Sequence, residues 1–343
     1  MKIVLDAMGG DHAPVVVIAG AVDAAREFAV PIVLVGQETV IRGELAKYDT
    51  SGLDLSVVHA SQVVDMHDKP SDVLRSKPES SMHIGMEMVR QGEADAFVTC
   101  GNTGGALAIA LVKLGRIKVD SQRRIHRPTL ATKYPTRTGF CFFMDTGANT
   151  DWKPVFLQQS AVMGSIYAES VLDVPNPRVG LVSIGEEEGK GNIAVREAYD
   201  LINATPGLNF VGNLEGKDIP AGKADVVVTD GFTGNVIIKL SEGVASLIID
   251  SLREEITSRT LAKIGALLAK PALSAVARKL DYAEYGGAVL LGLNHICIVG
   301  HGRSNARAVR SAIKVARDAV QANVIEEIRQ GLANRPVVLA ESE

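Results

Sequence analysis

Short apolar runs alternate along the chain with longer segments in which apolar residues recur every three or four positions. The short runs are rich in β-branched residues and apolar on both parities, which is typical of parallel strands buried between two layers of helices. This alternation predicts a three-layer α/β/α, Rossmann-like fold with a mainly parallel sheet. The predicted strands are residues 2–6, 31–35, 55–59, 96–100, 140–145, 179–184 and 225–229. The predicted helices include residues 15–27, 81–91, 106–114, 155–170, 193–202 and 305–329.

The region from residue 234 to residue 280 contains no strand-like run and predicts two long helices, forming a protruding hairpin at about 240–280. From residue 258 to residue 280 every charged residue is basic, and apolar residues recur at helical spacing. Such a segment can lie on an anionic membrane surface, or it can pack against the sheet or a second subunit. The candidate membrane contacts are Lys263, Leu267, Leu268 and Lys270.

Composition narrows the class of protein. The 343 residues are 46% hydrophobic and 22% charged, which predicts a compact globular chain. We expect one large domain over residues 1–333, followed by a frayed tail at 334–343. A net charge of −4 and 4% aromatic residues argue against nucleic-acid binding. Three scattered cysteines and the early Asp6 favour a cytoplasmic protein, and no spacing indicates a metal or a cofactor.

The clearest candidate for chemistry is the glycine-rich turn that follows the predicted strand 96–100. Its glycines would let an anion approach the backbone, and the helix that follows offers unpaired N–H groups. Because it lacks both the Walker lysine and the dinucleotide fingerprint, it predicts phosphate rather than nucleotide binding. A tight turn without a ligand is the alternative. The phosphate-binding candidates are Gly101, Asn102, Thr103, Gly104 and Gly105.

Further turns after predicted strands carry polar residues. Asn235 could orient a carbonyl or phosphate oxygen, Lys190 could compensate negative charge, and His12 could act as an acid or base. A solvated loop lysine and a structural histidine are the alternatives. Cys100 is more simply explained as an inert buried thiol than as an acyl carrier. The candidate supporting residues are Asp11, Asn149, Asp230, Gly231, Thr233 and Gly234.

Taken together, these turns resemble the bacterial acyl-carrier-protein:phosphate acyltransferases of phospholipid synthesis. The resemblance covers nearly the whole chain. It implies a fold similar to that of phosphate acetyltransferases and isocitrate-type dehydrogenases. It also implies a homodimer that converts long-chain acyl carrier protein and inorganic phosphate into acyl phosphate, which a membrane glycerol-3-phosphate acyltransferase then uses. The motifs that carry it are residues 6–14, 101–104, 115–117, 145–149, 224–236, 285–288 and 301–304.

Three features depart from the family pattern: the additional Gly105, the residue Arg303, and a strongly basic segment at 121–138. Acyl carrier protein is acidic, so Arg123, Arg124 and Arg127 in that segment are candidates for binding it. A solvated basic loop is the alternative. The resemblance also implies peripheral membrane attachment through the basic helical hairpin.

The implied reaction needs positioning more than activation, because phosphate is already a nucleophile at neutral pH. We therefore expect amides and one cation to hold phosphate and to stabilise the oxyanion formed at the thioester. An enzyme that resembles phosphate acetyltransferase and uses acyl-coenzyme A is the nearest alternative. A non-catalytic scaffold for the membrane acyltransferase and a dehydrogenase have less support, since the polar turns are intact and no nucleotide fingerprint is present.

Overall fold

The computed structural model describes residues 1–280 and 285–341, and their helices and strands alternate along most of the chain. The strands are β1 (Ile3–Asp6), β2 (Ile32–Gly36), β3 (Leu55–His59), β4 (Ala96–Thr99), β5 (Arg123–Arg124), β6 (Thr129–Thr136), β7 (Gly139–Met144), β8 (Arg178–Val182), β9 (Asn209–Leu214), β10 (Val226–Val228), β11 (Ala288–Leu291), β12 (Ile296–Val299) and β13 (Ala340–Glu341). The helices are α1 (Val15–Phe28), α2 (Glu38–Leu45), α3 (Pro70–Ser76), α4 (Ser81–Arg90), α5 (Thr103–Lys113), α6 (Pro154–Ser170), α7 (Ile193–Asn203), α8 (Asp218–Ala221), α9 (Gly231–Ser258), α10 (Thr260–Leu280), α11 (Ala306–Gln321) and α12 (Val324–Ala333).

The main sheet has the strand order β3-β2-β1-β4-β12-β11-β6-β7-β10-β8-β9. The first five strands of this order are parallel to one another, and so are the last four. Between the two groups, three successive antiparallel pairings through β11 and β6 reverse the chain direction. An odd number of reversals makes the two parallel groups run in opposite directions. The predicted mainly parallel sheet is confirmed, whereas this reversal was not predicted.

Side chains on each strand alternate between cores on opposite faces of the sheet. Ile3 and Leu5 pack into a core with α1 and α11, whereas Val4 packs on the other face with α4 and α5. In the second parallel group, Phe142 faces α6, and Phe143 packs with residues of α8 and α9. Helices therefore cover both faces, which confirms the predicted α/β/α layering.

The basic segment at 121–138 is largely strand, which the interpretation as a solvated loop did not anticipate. Strand β6 occupies residues 129–136 and pairs with both β11 and β7. Its Lys133 is partly buried with the ammonium 4.6 Å from the centroid of the Phe140 ring, and this burial lowers the pKa of Lys133. A lysine with a long apolar stem can therefore stand in a sheet despite its charge.

Two expectations for the C-terminal region were wrong. The predicted helix 305–329 is divided, because Asn323 adopts the left-handed conformation with φ of 48° between α11 and α12. The tail, expected to fray, contributes β13, whose Ala340 pairs with Arg124 of β5. Val337 is buried, and the Val338 amide donates to Gln158, so the described tail is docked. Residues 342 and 343 lie outside the described part.

The predicted hairpin is present as α9 and α10, which separate at Arg259. Both helices are long and apolar enough to cross a membrane by length and composition alone, and little of either is buried. On α10, Leu267 and Leu268 are 71% and 81% exposed. Lys263 and Lys270 are also exposed there. The hairpin thus presents apolar and basic side chains to its surroundings.

Candidate active site

A cleft of about 360 Å³ lies between the two parallel groups of strands, over β11 and β6. The start of α5, the loop after β7, the first turns of α9 and the end of β12 meet there. Both polar and apolar residues line the cleft, and one lysine and one histidine are among them. The principal polar positions are Thr103, Gly104, Thr132, Thr146, Asn235, Lys239, Gly300 and His301.

The register of the central strands explains how turns from oppositely directed strands meet. Met144, at the end of β7, pairs with Ala131, which pairs with Val289, which pairs with Ile298 near the end of β12. Because β12 also pairs in register with β4, the ends of β7 and β4 lie at nearly the same height in the sheet. The turns after β4 and β7 therefore meet at one crevice although their strands run in opposite directions.

We call residues 100–105 the Gly101 wall of the cleft. Asn102 is the N-cap of α5, and its Oδ1 accepts a hydrogen bond from the Gly105 amide at 2.9 Å. Its Nδ2 donates to the carbonyls of Asp65, Met66 and Asp68. The Asn102 side chain, predicted to contact phosphate, is therefore committed to holding this wall in place.

The additional Gly105 lies behind the cleft, with its amide capped by Asn102 and its Cα facing Val64. The two backbone amides that precede it, those of Thr103 and Gly104, are not capped in this way. Within residues 1–280 and 285–341, neither the Thr103 amide nor the Gly104 amide donates a hydrogen bond. Gly104 must lack a side chain, because a Cβ there would lie 2.6 Å from the Pro70 ring. These two amides, at a helix N-terminus, are positioned for an anion.

A buried carboxylate supports the Gly101 wall from β1. The Thr99 hydroxyl donates to Asp6 at 2.7 Å, and the Gly101 amide donates to the same hydroxyl oxygen at 3.0 Å. Asp6 also accepts from the Met8 amide. Burial raises the pKa of Asp6 above its ordinary value, and hydrogen bonds from Ser81 and Thr99 oppose that shift. The wall is thus tied to a strand 93 residues away in the sequence.

We call residues 145–149 with the first turn of α9 the Asp145 wall. The buried Asp145 carboxylate accepts hydrogen bonds from the backbone amides of Leu130, Gly147, Ala148 and Asn149, and from the Asn149 side chain. Burial raises the pKa of Asp145, while these donors act in the opposite direction. Asp145 therefore fixes its own loop rather than facing substrate.

The predicted supporting residues of α9 join this wall to the helix. Asp230 caps α9 by accepting from the Thr233 amide, and the Gly231 amide donates to the Asn149 carbonyl. Gly234 packs directly against the Asp145 carbonyl. On the next turn, the Asn235 Nδ2 donates to the Thr146 carbonyl at 3.1 Å, beside Gly147. Asn235 also lines the cleft.

Lys239 and His301 bring ionisable groups to the cleft. Lys239 follows Asn235 by one helical turn, so both lie on the same face of α9. Burial lowers the pKa of His301, although the nearby Glu242 carboxylate, 3.6 Å away, acts in the opposite direction. Glu242 also pairs with Arg303 at 2.7 Å. Burial thus favours the neutral form of this histidine.

The structure places two predicted catalytic residues away from the lining of this cleft. Lys190 is exposed on the loop between β8 and α7, where its amide donates to the Glu187 carbonyl. His12 is exposed on the loop after β1. Its neighbour Asp11 is closer to the cleft, since the Asp11 amide donates to the carbonyl of Gly302, next to His301.

The predicted carrier-protein contacts are spread over several environments. Arg123 and Arg124 form β5, and the Arg123 guanidinium donates to Asp120 at 2.7 Å. Arg127 is exposed at a small cavity behind the Asp145 wall. Cys100 is buried beside the Gly101 wall, and burial raises the pKa of its thiol to about 11, which does not favour a nucleophilic thiolate.

A cluster of carboxylates near the end of β8 also has the spacing of metal ligands. Oxygen atoms of Glu186, Glu215 and Asp218 lie within 4.8 Å of one another. Lys223 pairs with Glu186 and Asp218 at 2.9 and 2.8 Å, and Lys217 pairs with Glu215. Two lysines therefore already balance this acidic charge.

Sequence reasoning missed Lys239 and His301 as individual candidates. A usable signal existed for both. Lys239 lies four residues after Asn235, which places it on the same side of a helix, and His301 directly follows an apolar run that forms β12.

The chain is similar to known proteins over nearly its whole length. A family model described as "Fatty acid synthesis protein" matches residues 1–327. The phosphate acyltransferase of Alkaliphilus oremlandii is 47% identical over 334 residues, covering 97% of this chain and 98% of its own. That of Geotalea daltonii is 45% identical over 347 residues, covering 100% and 98%.

Solved structures show a similar fold at low sequence identity. A phosphotransacetylase from Streptococcus pyogenes matches with a TM-score of 0.61 and 19% identity, covering 95% of this chain and 94% of its own. A branched-chain phosphotransacylase from Enterococcus faecalis matches with a TM-score of 0.56 and 14% identity, covering 93% and 99%. The similarity extends across both parallel groups of strands.

Proposed function

The chain belongs to the phosphate acyltransferase family of fatty acid synthesis proteins, and we propose that it makes acyl phosphate from fatty acyl carrier protein and inorganic phosphate. The observation that carries the proposal is the pair of amides, Thr103 and Gly104, at the N-terminus of α5 inside a cleft that also holds Lys239. Helix N-termini bind phosphate through such amides and through the helix dipole. A thioester can reach the same cleft from its open side.

The chemistry follows from holding the two reactants together. An oxygen of hydrogen phosphate attacks the thioester carbonyl, a tetrahedral oxyanion forms, and the carbon–sulfur bond breaks. The proton of hydrogen phosphate ends on the departing thiol, so no net acid or base is consumed. Asn235 is placed to donate to the oxyanion or a phosphate oxygen, and donors of this kind contribute about 100- to 1,000-fold in rate.

Charge compensation has two candidates in this proposal. Lys239 lines the cleft, whereas Lys190 lies on an exposed loop that would have to close over bound substrate. The variants Lys239→Met and Lys190→Met separate the two roles. Replacing the lysine that contacts phosphate should raise the apparent KM for phosphate. Replacing the other lysine should leave that KM at its native value. His12 and His301 are the corresponding candidates for moving the proton to the thiol.

The direct test is formation of acyl phosphate from palmitoyl carrier protein and phosphate, trapped with hydroxylamine as the hydroxamate. We expect product with the native chain and with Cys100→Ala, since no acyl-enzyme is required. Palmitoyl-coenzyme A serves as the competing donor, and a higher kcat/KM with it would favour the phosphate acetyltransferase-like alternative. No product from either donor would refute the proposed reaction and favour a scaffold for the membrane acyltransferase.

We further propose that the enzyme acts in the cytoplasm as a homodimer, with its hairpin against an anionic membrane surface. Exposed Leu267 and Leu268 beside Lys263 and Lys270 support this placement, because apolar and basic side chains together favour such surfaces. The first turns of α9 line the cleft, so this end of the hairpin lies at the cleft rather than at the membrane surface. Acyl phosphate would then be released near a membrane glycerol-3-phosphate acyltransferase.

Vesicle co-sedimentation tests the membrane surface. With vesicles containing anionic lipid, Leu267→Asp combined with Leu268→Asp should abolish most of the bound fraction. The control is Val112→Asp, since Val112 is 68% exposed on α5, away from the hairpin. Equal sedimentation of the double variant and the native chain would contradict contact through this part of α10.

A further inference from the structure

A second cavity, of about 180 Å³, opens beside the cleft. The two spaces share Thr132, Ile238, Gly286 and His301 in their linings, so they are neighbouring compartments of one depression. The second compartment has apolar walls from Tyr134, Pro135, Pro220, Ile238 and Ala245. Its position places apolar surface directly beside the site at which a thioester carbonyl would react.

The path continues beyond this cavity along α9. Glu242 and Ala245 also line a groove of about 1,040 Å³ bordered by α9, α10 and the start of α11, with Ile249 and Ala277 farther along. Its lining combines these apolar side chains with basic ones, namely Lys239, Arg278, Arg303 and Arg307. From Asn235 to Ile249, at 1.5 Å per residue, the path measures about 21 Å. A fatty acyl chain spans roughly 15 Å, half of the ~30 Å hydrocarbon core of a bilayer. The path is therefore long enough for a complete chain.

One side of the cavity is held by a hydrogen bond between strand and helix. The Tyr134 hydroxyl and the Ser241 hydroxyl lie 2.9 Å apart, and the Tyr134 ring packs 5.8 Å from Phe143 in the core. These contacts fix the distance between β6 and α9. The cavity is consequently part of the folded frame, built before any substrate arrives.

We propose that the acyl chain of the substrate lies in this cavity and continues along the groove between α9 and α10, with Ala245 at the passage between the two. This inference rests on the proposed function and adds the residues that determine acyl chain-length preference. The small Ala245 side chain leaves room for a long chain at this passage, beside the Glu242 carboxylate. Each methylene that moves from water to apolar surroundings strengthens binding by up to about fourfold, so long chains react with higher kcat/KM.

The test compares chain lengths in a variant that narrows the passage. Initial rates are measured with butyryl, octanoyl and palmitoyl carrier protein at saturating phosphate, for the native chain and for Ala245→Trp. We expect the ratio of kcat/KM for palmitoyl over butyryl to fall about tenfold or more in Ala245→Trp, which corresponds to losing contact with two or more methylenes. The control is Val244→Trp, because Val244 is 45% exposed on α9 and lines neither cavity.

The outcomes separate the two proposals. An unchanged ratio in Ala245→Trp, or an equal fall in Val244→Trp, overturns the acyl path while native activity still supports the reaction. No acyl phosphate from any donor with the native chain refutes the reaction itself. If Ala245→Trp does not fold, a palmitoyl carrier protein with a diazirine near the methyl end is photolysed on the native enzyme. Labelling of peptides from α9 and α10 supports the path, and labelling confined elsewhere overturns it.

Discussion

The two walls of the cleft are both anchored by a buried aspartate, but the two carboxylates have different partners. Asp145 binds amides of its own loop, from Gly147 to Asn149, and the Leu130 amide of the neighbouring strand, so the contacts of its carboxylate are mostly local in sequence. The Gly101 wall depends on partners far away in sequence, since Asp6 acts through Thr99 and Asn102 holds the carbonyls of residues 65–68.

We infer from this difference that the two walls have different roles. The Asp145 wall is a preorganised platform that carries Asn235 at a fixed place. The Gly101 wall carries the two open amides and is attached through Asn102 to an exposed loop around Asp65 and Met66. We therefore expect damage to the Asp145 wall to lower stability and kcat, and damage to the Gly101 wall to act mainly on phosphate binding.

The largest effect is expected from Asp145→Ala. It leaves four backbone amides, one buried and three partly buried, and the Asn149 side chain without their acceptor, which should cost about 3 kcal/mol or more in free energy of unfolding. Urea denaturation measures the loss. Asp230→Ala is the comparison, because it removes one capping bond and should cost only about 1 kcal/mol. Equal costs for the two variants would contradict the platform.

Asn235→Ala should lower kcat/KM for acyl phosphate formation by about 100-fold, because it removes a donor at the reacting atoms. Stability should change by less than about 1.5 kcal/mol, since one hydrogen bond to Thr146 is lost. Asn209→Ala removes a similar bond, to the Asn176 carbonyl, at a site outside the cleft lining. Steady-state rates near the native value in Asn235→Ala would exclude a role in the reaction.

Asn102→Ala should raise the KM for phosphate more than it lowers kcat, because the start of α5 loses its cap and its attachment to residues 65–68. The capping loss alone is worth about 1 kcal/mol. Asn192→Ala matches that loss, since Asn192 caps α7 through the Val195 amide, and it provides the stability control. A change confined to kcat would contradict the assignment of the Gly101 wall to phosphate binding.

The smallest effect concerns pH and Asp6. Its raised pKa means that the folded state holds this proton more tightly than the unfolded state, whose pKa is near 3.8. The stabilisation is therefore complete below pH 3.8 and is lost as the pH rises through the folded-state pKa. Asp6→Asn cannot titrate. The stability advantage of the native chain over Asp6→Asn, measured by urea unfolding, should shrink with rising pH, and a growing advantage would contradict the assignment.

Sequence pattern predicted seven of the nine strands in the two parallel groups, because buried parallel strands are apolar throughout, but it missed β9 and β12. It did not predict the reversal between the groups, since strand direction depends on pairings between residues as distant as Ala131 and Val289. Strand β6 was missed because Lys133, Pro135 and the arginines that flank the strand obscure its pattern, although Lys133 buries its stem beside Phe140. The composition of a segment did not reveal which of its side chains pack.

The glycine-rich turn was found at the right place, but the roles within it were not. Asn102 precedes a helix, which is the pattern of an N-cap, and capping uses the side chain that had been assigned to phosphate. Lys190 was chosen because glycines flank it, whereas Lys239 reaches the cleft by helical periodicity from Asn235. Sequence motifs locate the turns. Only the folded structure shows which backbone and side-chain atoms in those turns are available to bind a ligand.

The most direct test of the central claim is to titrate inorganic phosphate while observing backbone amide resonances of the Gly101 wall. The Thr103 and Gly104 amide signals should shift together and saturate at a concentration near the KM for phosphate. The Gly105 amide, which is capped by Asn102, should shift much less. Shifts restricted to the loop around Lys190, or an absence of shifts at Thr103 and Gly104, would contradict phosphate binding at this helix N-terminus.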